Sequence, residues 1–202
     1  NESFLNDSCN EILANGQYLF CLTNTELVLI QADFSASGSA PKQTISCPSC
    51  RGMAFDGTNI WASSIWGEVY KIDLSRTYSA QISDLCRGSI SSCYPNPQAP
   101  SISATVGVTA SGTSPWGVEF DGERVWVANK NADNVTVVTA STASVLGTVS
   151  VGDAPTEVIF DGQSIWVINE SGNSVSKIDP ISRTVIGTFT VGTLPKDIAF
   201  DG

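Results

Sequence analysis

The chain has 202 residues, of which 42% are apolar and 15% charged, values typical of a folded protein rather than a disordered one. Its net charge of −10 disfavours nucleic acid as a partner, and no apolar run reaches the length of about 18 residues that membrane insertion needs. The sequence contains no histidine, which excludes histidine-based acid–base chemistry, Ser-His-Asp and Cys-His nucleophiles, and nearly all catalytic zinc sites.

The first eight residues are polar and lack the basic and apolar start of a signal peptide. Six cysteines form an even number, which suits a disulfide framework outside the cell. We therefore expect a secreted or cell-surface protein whose signal peptide has been removed. Cys86 and Cys93 are the simplest pair to propose, because they enclose a short loop. The other cysteines allow three pairings, among which the sequence does not choose: Cys9, Cys21, Cys47 and Cys50.

Cys47 and Cys50 have the CxxC spacing of redox-active and zinc-binding motifs. The βαβ context of a thioredoxin-like site is missing, and a structural zinc site would need all four of the N-terminal thiolates. We therefore favour structural disulfides and expect neither a metal nor a cofactor.

One motif recurs along the whole chain: an aromatic residue, Asp and Gly, followed by another aromatic residue four positions after the glycine. A degenerate first copy precedes three complete copies and a final partial one. The copies are Asn15-Gly16 with Phe20, Phe55-Asp56-Gly57 with Trp61, Phe120-Asp121-Gly122 with Trp126, Phe160-Asp161-Gly162 with Trp166, and Phe200-Asp201-Gly202. The glycines are 41, 65, 40 and 40 residues apart. A fixed period near forty residues indicates a repeat protein.

Each repeat is predicted to contain four short antiparallel strands. In the most regular copy they span residues 156–160, 164–169, 175–179 and 184–191, and Asp161-Gly162 is the preferred pair for a tight hairpin turn. Four strands per forty residues predict an all-β fold, a β-propeller of four-stranded blades. The blades are expected at about 9–50, 51–114, 115–154 and 155–194, with the first strand of a further blade at 195–202, all in one domain.

The second repeat is longer by about 25 residues, which lie within 83–113. Insertions in repeat proteins leave from one face, which is often the binding face, but an ornamental loop pinned by a disulfide is an equal alternative. The partial last copy leaves three alternatives open: a fragment of a longer propeller, a small four-bladed ring, or a strand passed to a neighbouring subunit.

The repeated aspartates are explained by turn formation, since one carboxylate per blade does not make a calcium site. The repeated aromatic residues are predicted to fill the core between blades. Trp66 and Trp116 fall outside this pattern and are candidate ligand-binding residues. Asn129 and Asn169 end equivalent strands and are predicted to close the following turns, with a ligand-contacting role as the alternative.

Four Asn-x-Ser/Thr sequons are candidates for glycosylation. They begin at Asn1, Asn6, Asn134 and Asn169.

The third and fourth repeats resemble a known family. Trp-Val-Ala-Asn129 and Trp-Val-Ile-Asn169, with Ile-Asp179 and Val-Gly192 after them, are similar to YVTN-family β-propeller repeats. The chain is also similar to the propeller of virginiamycin B lyase-type proteins. The first resemblance implies a surface propeller, commonly without known activity. The second implies catalytic histidines and magnesium, which a chain without histidine does not provide.

We therefore expect a non-catalytic extracellular scaffold that associates with itself, or with another surface protein, through exposed strand edges. The alternative is a binding module that holds a peptide or glycan at its funnel face. A lyase-like enzyme is the third possibility, because propellers also host catalysis.

Overall fold

The computed structural model of the chain describes residues 9–15, 18–31, 42–74, 101–108 and 113–201. Its sixteen strands in these ranges form four antiparallel sheets, each of four strands in chain order. The sheets comprise β1 Glu11–Ala14, β2 Tyr18–Leu22, β3 Glu26–Gln31 and β4 Lys42–Ser46; β5 Cys50–Phe55, β6 Asn59–Ser64, β7 Glu68–Asp73 and β8 Ser101–Gly107; β9 Pro115–Phe120, β10 Arg124–Asn129, β11 Asn134–Thr139 and β12 Ser144–Ser150; β13 Pro155–Phe160, β14 Ile165–Asn169, β15 Ser174–Asp179 and β16 Thr184–Thr190. The predicted all-β architecture of four-stranded blades is confirmed.

The four blades pack face to face in chain order, and their first strands β1, β5, β9 and β13 lie next to one another on the inside. The inner strands approach closely at two glycines. A Cβ atom on Gly52 would lie 2.3 Å from the carbonyl oxygen of Trp116, and one on Gly117 would lie 2.6 Å from that of Thr156. Only residues without a side chain fit here.

Each interface between blades is centred on the repeated aromatic residue of the earlier blade. Phe20, Trp61 and Trp126 are fully buried, each in a separate apolar cluster shared with the next blade. This confirms the predicted core role for these three. Trp166 is only partly buried, because no described blade packs on the outer face of the fourth sheet.

The hairpin turn between the first two strands differs in one detail from the prediction. Asp56 N–H donates to the carbonyl of Asn59, so the two central residues are Gly57 and Thr58 rather than Asp56 and Gly57. Gly57 has a φ of 92°, and its equivalents Gly122 and Gly162 have 99° and 88°. A positive φ at the first central position is the geometry of a type II′ turn, which requires glycine there.

The aspartate before each turn glycine is held by three bonds. Asp121 Oδ1 accepts the backbone N–H groups of Glu123 and Arg124, at 2.9 and 2.6 Å. Its Oδ2 accepts the indole N–H of Trp126 at 2.8 Å. Asp56 binds Trp61 and Asp161 binds Trp166 in the same way, at 2.8 and 2.7 Å. The turn and the interface aromatic are therefore one connected unit.

Two disulfides are present in the described part of the chain, Cys9–Cys21 and Cys47–Cys50. This is one of the three pairings of the four N-terminal cysteines that the sequence leaves open. Because all four are in disulfides, none remains as a thiolate that could bind zinc. The expected pair Cys86 and Cys93 lies outside the described residues. Disulfides indicate an oxidising environment. Among the described residues, no helix is long and apolar enough to cross a membrane.

Residues 195–201 follow the fourth blade at the place where the sequence predicts a further inner strand. They pair with no other strand in the described chain. The equivalent stretch of the fourth blade, at the start of β13, pairs with β14 of its own sheet. A complete blade after residue 201 would supply such a partner.

The Asp–Trp unit predicts a large effect of removing one carboxylate. Asp121→Ala leaves two turn N–H groups and a buried indole N–H without an acceptor, and bonds to charged groups contribute about 1.5–3 kcal/mol each. We expect a loss of roughly 2–4 kcal/mol in urea unfolding, because the three losses are not additive. Glu123→Ala, in the same turn but exposed and bonded only to Arg124, should change stability by less than about 0.5 kcal/mol. Equal effects of the two variants would contradict this role.

Candidate functional site

The two ends of the blade stack carry different groups. We call the end with the Asp-Gly turns the lower end, and the opposite end, where the inner strands begin, the upper end. Trp116 is the second residue of β9 and therefore lies at the upper end. Trp66 follows β6 in the turn to β7, so it lies at the upper end as well, and it is 65% exposed.

The insertion joins the blade at the opposite end from these tryptophans. Asp73, which ends β7, pairs with both Asn59 and Ser101, and Asn59 adjoins the Asp-Gly turn. The predicted bounds 83–113 are partly wrong, because Ser101–Gly107 form β8, the fourth strand of the second blade. Residues 75–100 lie outside the described part of the chain. The described residues on either side of them are therefore at the lower end, opposite Trp116.

Asn129 and Asn169 are fully buried, and both donate within their own blades, while Asn169 Oδ1 also accepts the N–H of Gly152, after the third blade, at 3.1 Å. Asn129 Nδ2 donates to Asn134 Oδ1 and Thr136 Oγ1, at 2.7 and 2.8 Å. Asn169 Nδ2 donates to the hydroxyls of Ser174 and Ser176, at 3.0 and 2.9 Å. These bonds close the turn after the second strand and leave no surface for a ligand.

The sequons are placed as follows. Asn169 has no exposed surface, and Asn134 is half-buried, with its amide donating to the carbonyl of Ala132. Glycosylation of either in the folded chain would break these contacts. Asn1 and Asn6 lie outside the described residues.

Trp116 is surrounded by cations. The Lys130 ammonium lies 4.3 Å from the centre of its ring and the Arg51 guanidinium 5.7 Å, both within the range of a cation–π interaction. The indole N–H donates to Ser114 Oγ at 3.2 Å. Trp116 is half-buried, so part of its ring faces solvent.

An ion-pair chain continues from Lys130 across the upper end. Lys130 Nζ lies 2.6 Å from Glu170 Oε2, and Lys196 binds the other oxygen of the same carboxylate. The hydrogen bonds from Lys130 and Lys196 lower the pKa of Glu170. Glu170 therefore remains charged and neutralises one of the two lysines.

Three glutamates of the inner strands have raised pKa values. Burial raises the pKa of Glu11 to about 8, although its Oε2 accepts the Met53 N–H at 2.7 Å, and the charges of Glu157 and Glu119 raise it further. Burial and the charge of Asp197 raise the pKa of Glu157 to about 7. Burial also raises the pKa of Glu119. These groups influence one another across the centre of the blade array.

Sequence reasoning missed these glutamates, although the repeat contains the signal. Glu11, Gly52, Gly117 and Glu157 occupy the same position in successive repeats, at spacings of 41, 65 and 40 residues. At the two glycines, the inner strands approach each other closely. A glutamate at a repeat position that is glycine in the other blades indicates that the neighbouring inner strand leaves space for a side chain there. In the described residues, no group of three acidic, cysteine or histidine side chains is arranged to hold a metal ion.

A cleft of about 350 Å³ opens at the lower end between the second and third blades. Lys71 lies on its wall, with Nζ donating to the carbonyl of Ala140 at 2.7 Å. Asp56, Asn59, Phe120 and Glu123 also line it. This hydrogen bond from Lys71 links the second blade to the third, which gives the lysine a structural role.

No protein-family model matches the sequence, and no curated protein sequence matches it. Solved structures do resemble the fold. Kuenenia stuttgartiensis hydrazine synthase has a TM-score of 0.66 at 15% identity, covering 95% of this chain and 52% of that one. A streptogramin B lyase has a TM-score of 0.64 at 11% identity, covering 90% and 54%. Myxococcus xanthus glutaminyl cyclase has a TM-score of 0.55 at 13% identity, covering 92% and 72%.

The fold is a β-propeller. The identities are low enough that these similarities show the fold alone. This chain spans about half the length of the hydrazine synthase chain that it matches. The predicted propeller is thereby confirmed, whereas no match of a family model supports the YVTN resemblance.

The raised pKa values predict how stability depends on pH. Between the ordinary glutamate value of 4.5 and about 8, the folded chain binds more protons than the unfolded chain at Glu11 and Glu157. Their contribution to stability is therefore fully present below pH 4.5 and is lost as the pH rises through 7 and 8. Urea midpoints measured across this range should fall for the wild type and change less for a Glu11→Gln, Glu157→Gln double variant. Exposed Glu123→Gln is the control. A midpoint that rises over this range would contradict the assignment.

Proposed function

We propose that the protein is a non-catalytic extracellular β-propeller scaffold, and that copies associate through the outer faces of their end blades. The observation that carries this proposal is the exposed outer face of the fourth blade. Seven of the twelve exposed large apolar side chains in the described chain lie between residues 181 and 200. A concentration of exposed apolar side chains is typical of an interaction surface.

The outer face repeats a surface that is buried elsewhere in the molecule. The third and fourth blades align at an offset of 40 residues. Val149 is 6% exposed against the fourth blade, whereas its equivalent Phe189 is 50% exposed. Trp126 is fully buried, whereas its equivalent Trp166 is partly exposed. The ring centroids of Trp166 and Phe189 lie 5.8 Å apart. The face therefore has the composition of a blade interface, and no blade among the described residues covers it.

A lysine on this face has the same position as one that joins two blades. Lys71 pairs with Trp61 in the second sheet, and Lys177 pairs with Trp166 in the fourth. Lys71 lies 5.2 Å from its tryptophan ring and reaches across to a carbonyl of the third blade. Lys177 lies 4.7 Å from its own tryptophan ring. A blade packed on this face would offer Lys177 an equivalent carbonyl.

The occupant that we propose is the first blade of a second copy. Its outer face carries the side chains that point away from Phe20, among them Ile12 and half-buried Leu19. Ile12 is 57% exposed. The two end faces differ, so the contact is heterologous and joins copies head to tail.

The extracellular part of the proposal is supported by the disulfides and by the YVTN resemblance. Cys9–Cys21 ties the segment before β1 to the first blade, and such bonds persist in oxidising compartments. The scaffold role is favoured because the sequence offers no histidine and because its repeated polar residues serve the turns.

The test is the molar mass in solution, measured by light scattering over a wide range of protein concentrations. We expect a dimer, or larger head-to-tail species, in place of the 21.3 kDa single chain. Phe189→Glu places a charge in the proposed interface and should shift the protein to the single-chain mass.

Leu146→Glu is the matched control, because Leu146 is 44% exposed on the outermost strand of the third blade. It should leave the mass unchanged. A wild type that stays at the single-chain mass at every concentration would contradict self-association. If Leu146→Glu abolished assembly as well as Phe189→Glu, the contact would not be specific to the outer face of the fourth blade.

A further inference from the structure

Arg51 has an unsatisfied hydrogen-bonding group at the upper end. It is the second residue of β5, and its Nη1 donates to Asn24 Oδ1 at 3.3 Å. Its Nε is buried and has no hydrogen-bond partner in the described part of the chain. Leaving a donor of a charged group buried and unpaired is costly. Such a group in a folded protein therefore calls for an explanation.

Among the described residues, no carboxylate forms an ion pair with this guanidinium. The ion pairs of the described residues involve Arg124, Lys130 and Lys196, and none includes Arg51. Lys130 shares the Trp116 ring with Arg51 but is paired with Glu170. Of the two cations beside Trp116, Arg51 is thus the one without an anionic partner in the part of the chain that the structure describes.

A second unpaired group lies one inner strand further. Arg51, Trp116 and Thr156 occupy the same position in successive repeats, at spacings of 65 and 40 residues. Thr156 is 4% exposed, and its buried hydroxyl has no partner among the described residues. Its backbone lies against Gly117, next to Trp116. Two of the inner strands therefore carry unsatisfied polar groups on either side of a half-exposed tryptophan.

We propose that Arg51 and Trp116 form a binding site for the carboxylate of an acidic sugar, with the guanidinium holding the carboxylate and the exposed part of the indole contacting the sugar ring. Nε is buried, so the Arg51 side chain has to turn before its Nε–Nη2 edge can meet the two oxygens of a carboxylate, whose spacing that edge matches. Aromatic side chains pack well on the apolar faces of ligands while leaving their polar groups to others.

The charge of the molecule favours a singly charged ligand. At a net charge of −10, the protein repels a dianion such as phosphate more strongly than a monoanion. Arg51 supplies one positive charge that no carboxylate of the described ranges pairs with. A uronic acid, with one carboxylate on a pyranose ring, fits this balance.

The site is separate from the face proposed for self-association. Arg51 and Trp116 belong to the second and third blades, whereas the association face is the outer side of the fourth. Binding and assembly can therefore fail independently, and each can be measured without the other.

The test is a titration of the full chain with sodium glucuronate, followed by the indole N–H signals in nitrogen-15 NMR. The five tryptophans give at most five such signals, and Trp116→Phe assigns the relevant one. The pH is kept below the pKa values of Glu11 and Glu157, so that neither adds a competing negative charge. We expect the Trp116 signal to move and saturate, with a dissociation constant on the order of millimolar, and the Trp66 signal to stay fixed.

Glucose at the same concentrations tests the need for the carboxylate and should produce no saturable shift. Acetate and phosphate test the need for the ring and for a single charge, and both should bind more weakly than glucuronate. Arg51→Gln should weaken glucuronate binding at least tenfold, and Arg51→Lys should weaken it less. Arg183→Gln, at an exposed arginine of the fourth blade, should have no effect.

The proposal is overturned if glucose and glucuronate shift the signal equally, or if Arg51→Gln binds as tightly as the wild type. The same holds if glucuronate causes no saturable shift, since water would then be the partner of Arg51. The indole signals of the other four tryptophans, unchanged in the ligand-free variants, confirm that each variant is folded.

Discussion

In three of the four blades, a single aspartate carboxylate holds the turn between the first two strands to the tryptophan of the second strand. In the second, third and fourth blades it accepts two backbone N–H groups of the turn and one indole N–H. The turn glycine needs a positive φ, so the hairpin has one geometry available. Because the tryptophan is fixed to that turn, every blade presents the same aromatic surface to its neighbour. Packing of blades then follows from the repeat itself.

This constraint has a consequence for the last blade. It carries the complete Asp161–Trp166 unit and so presents a finished interface, although no described blade covers it. The partly exposed Trp166 and Phe189 are the direct result. Exposed apolar surface of this kind favours association, which is why we place the function of the chain in assembly. The polar upper end, with Arg51 and Trp116, provides a different surface on the same scaffold.

Much of the fold could be predicted from the sequence, because repetition makes weak local signals agree. Four copies of the turn motif located the strands and identified Phe20, Trp61 and Trp126 as core. The turn itself was misplaced by one residue, since the preference for Asp-Gly does not reveal that the aspartate acts through its side chain from the position before the turn. Cysteine pairing depends on which strands meet, so the sequence could not choose it. The raised pKa values of Glu11 and Glu157 arise from burial between inner strands, which no local pattern records.

The Trp166 face of the fourth blade is proposed to be covered by the first blade of a second copy. Fluorine NMR of protein labelled with 5-fluorotryptophan tests it most directly, because Trp126 is the buried equivalent and Trp66 the exposed reference within one spectrum. As the protein concentration rises, the Trp166 resonance should move towards the position of Trp126, while Trp66 and Trp126 stay constant. A Trp166 resonance that is independent of concentration, in a sample whose mass shows association, would contradict the account.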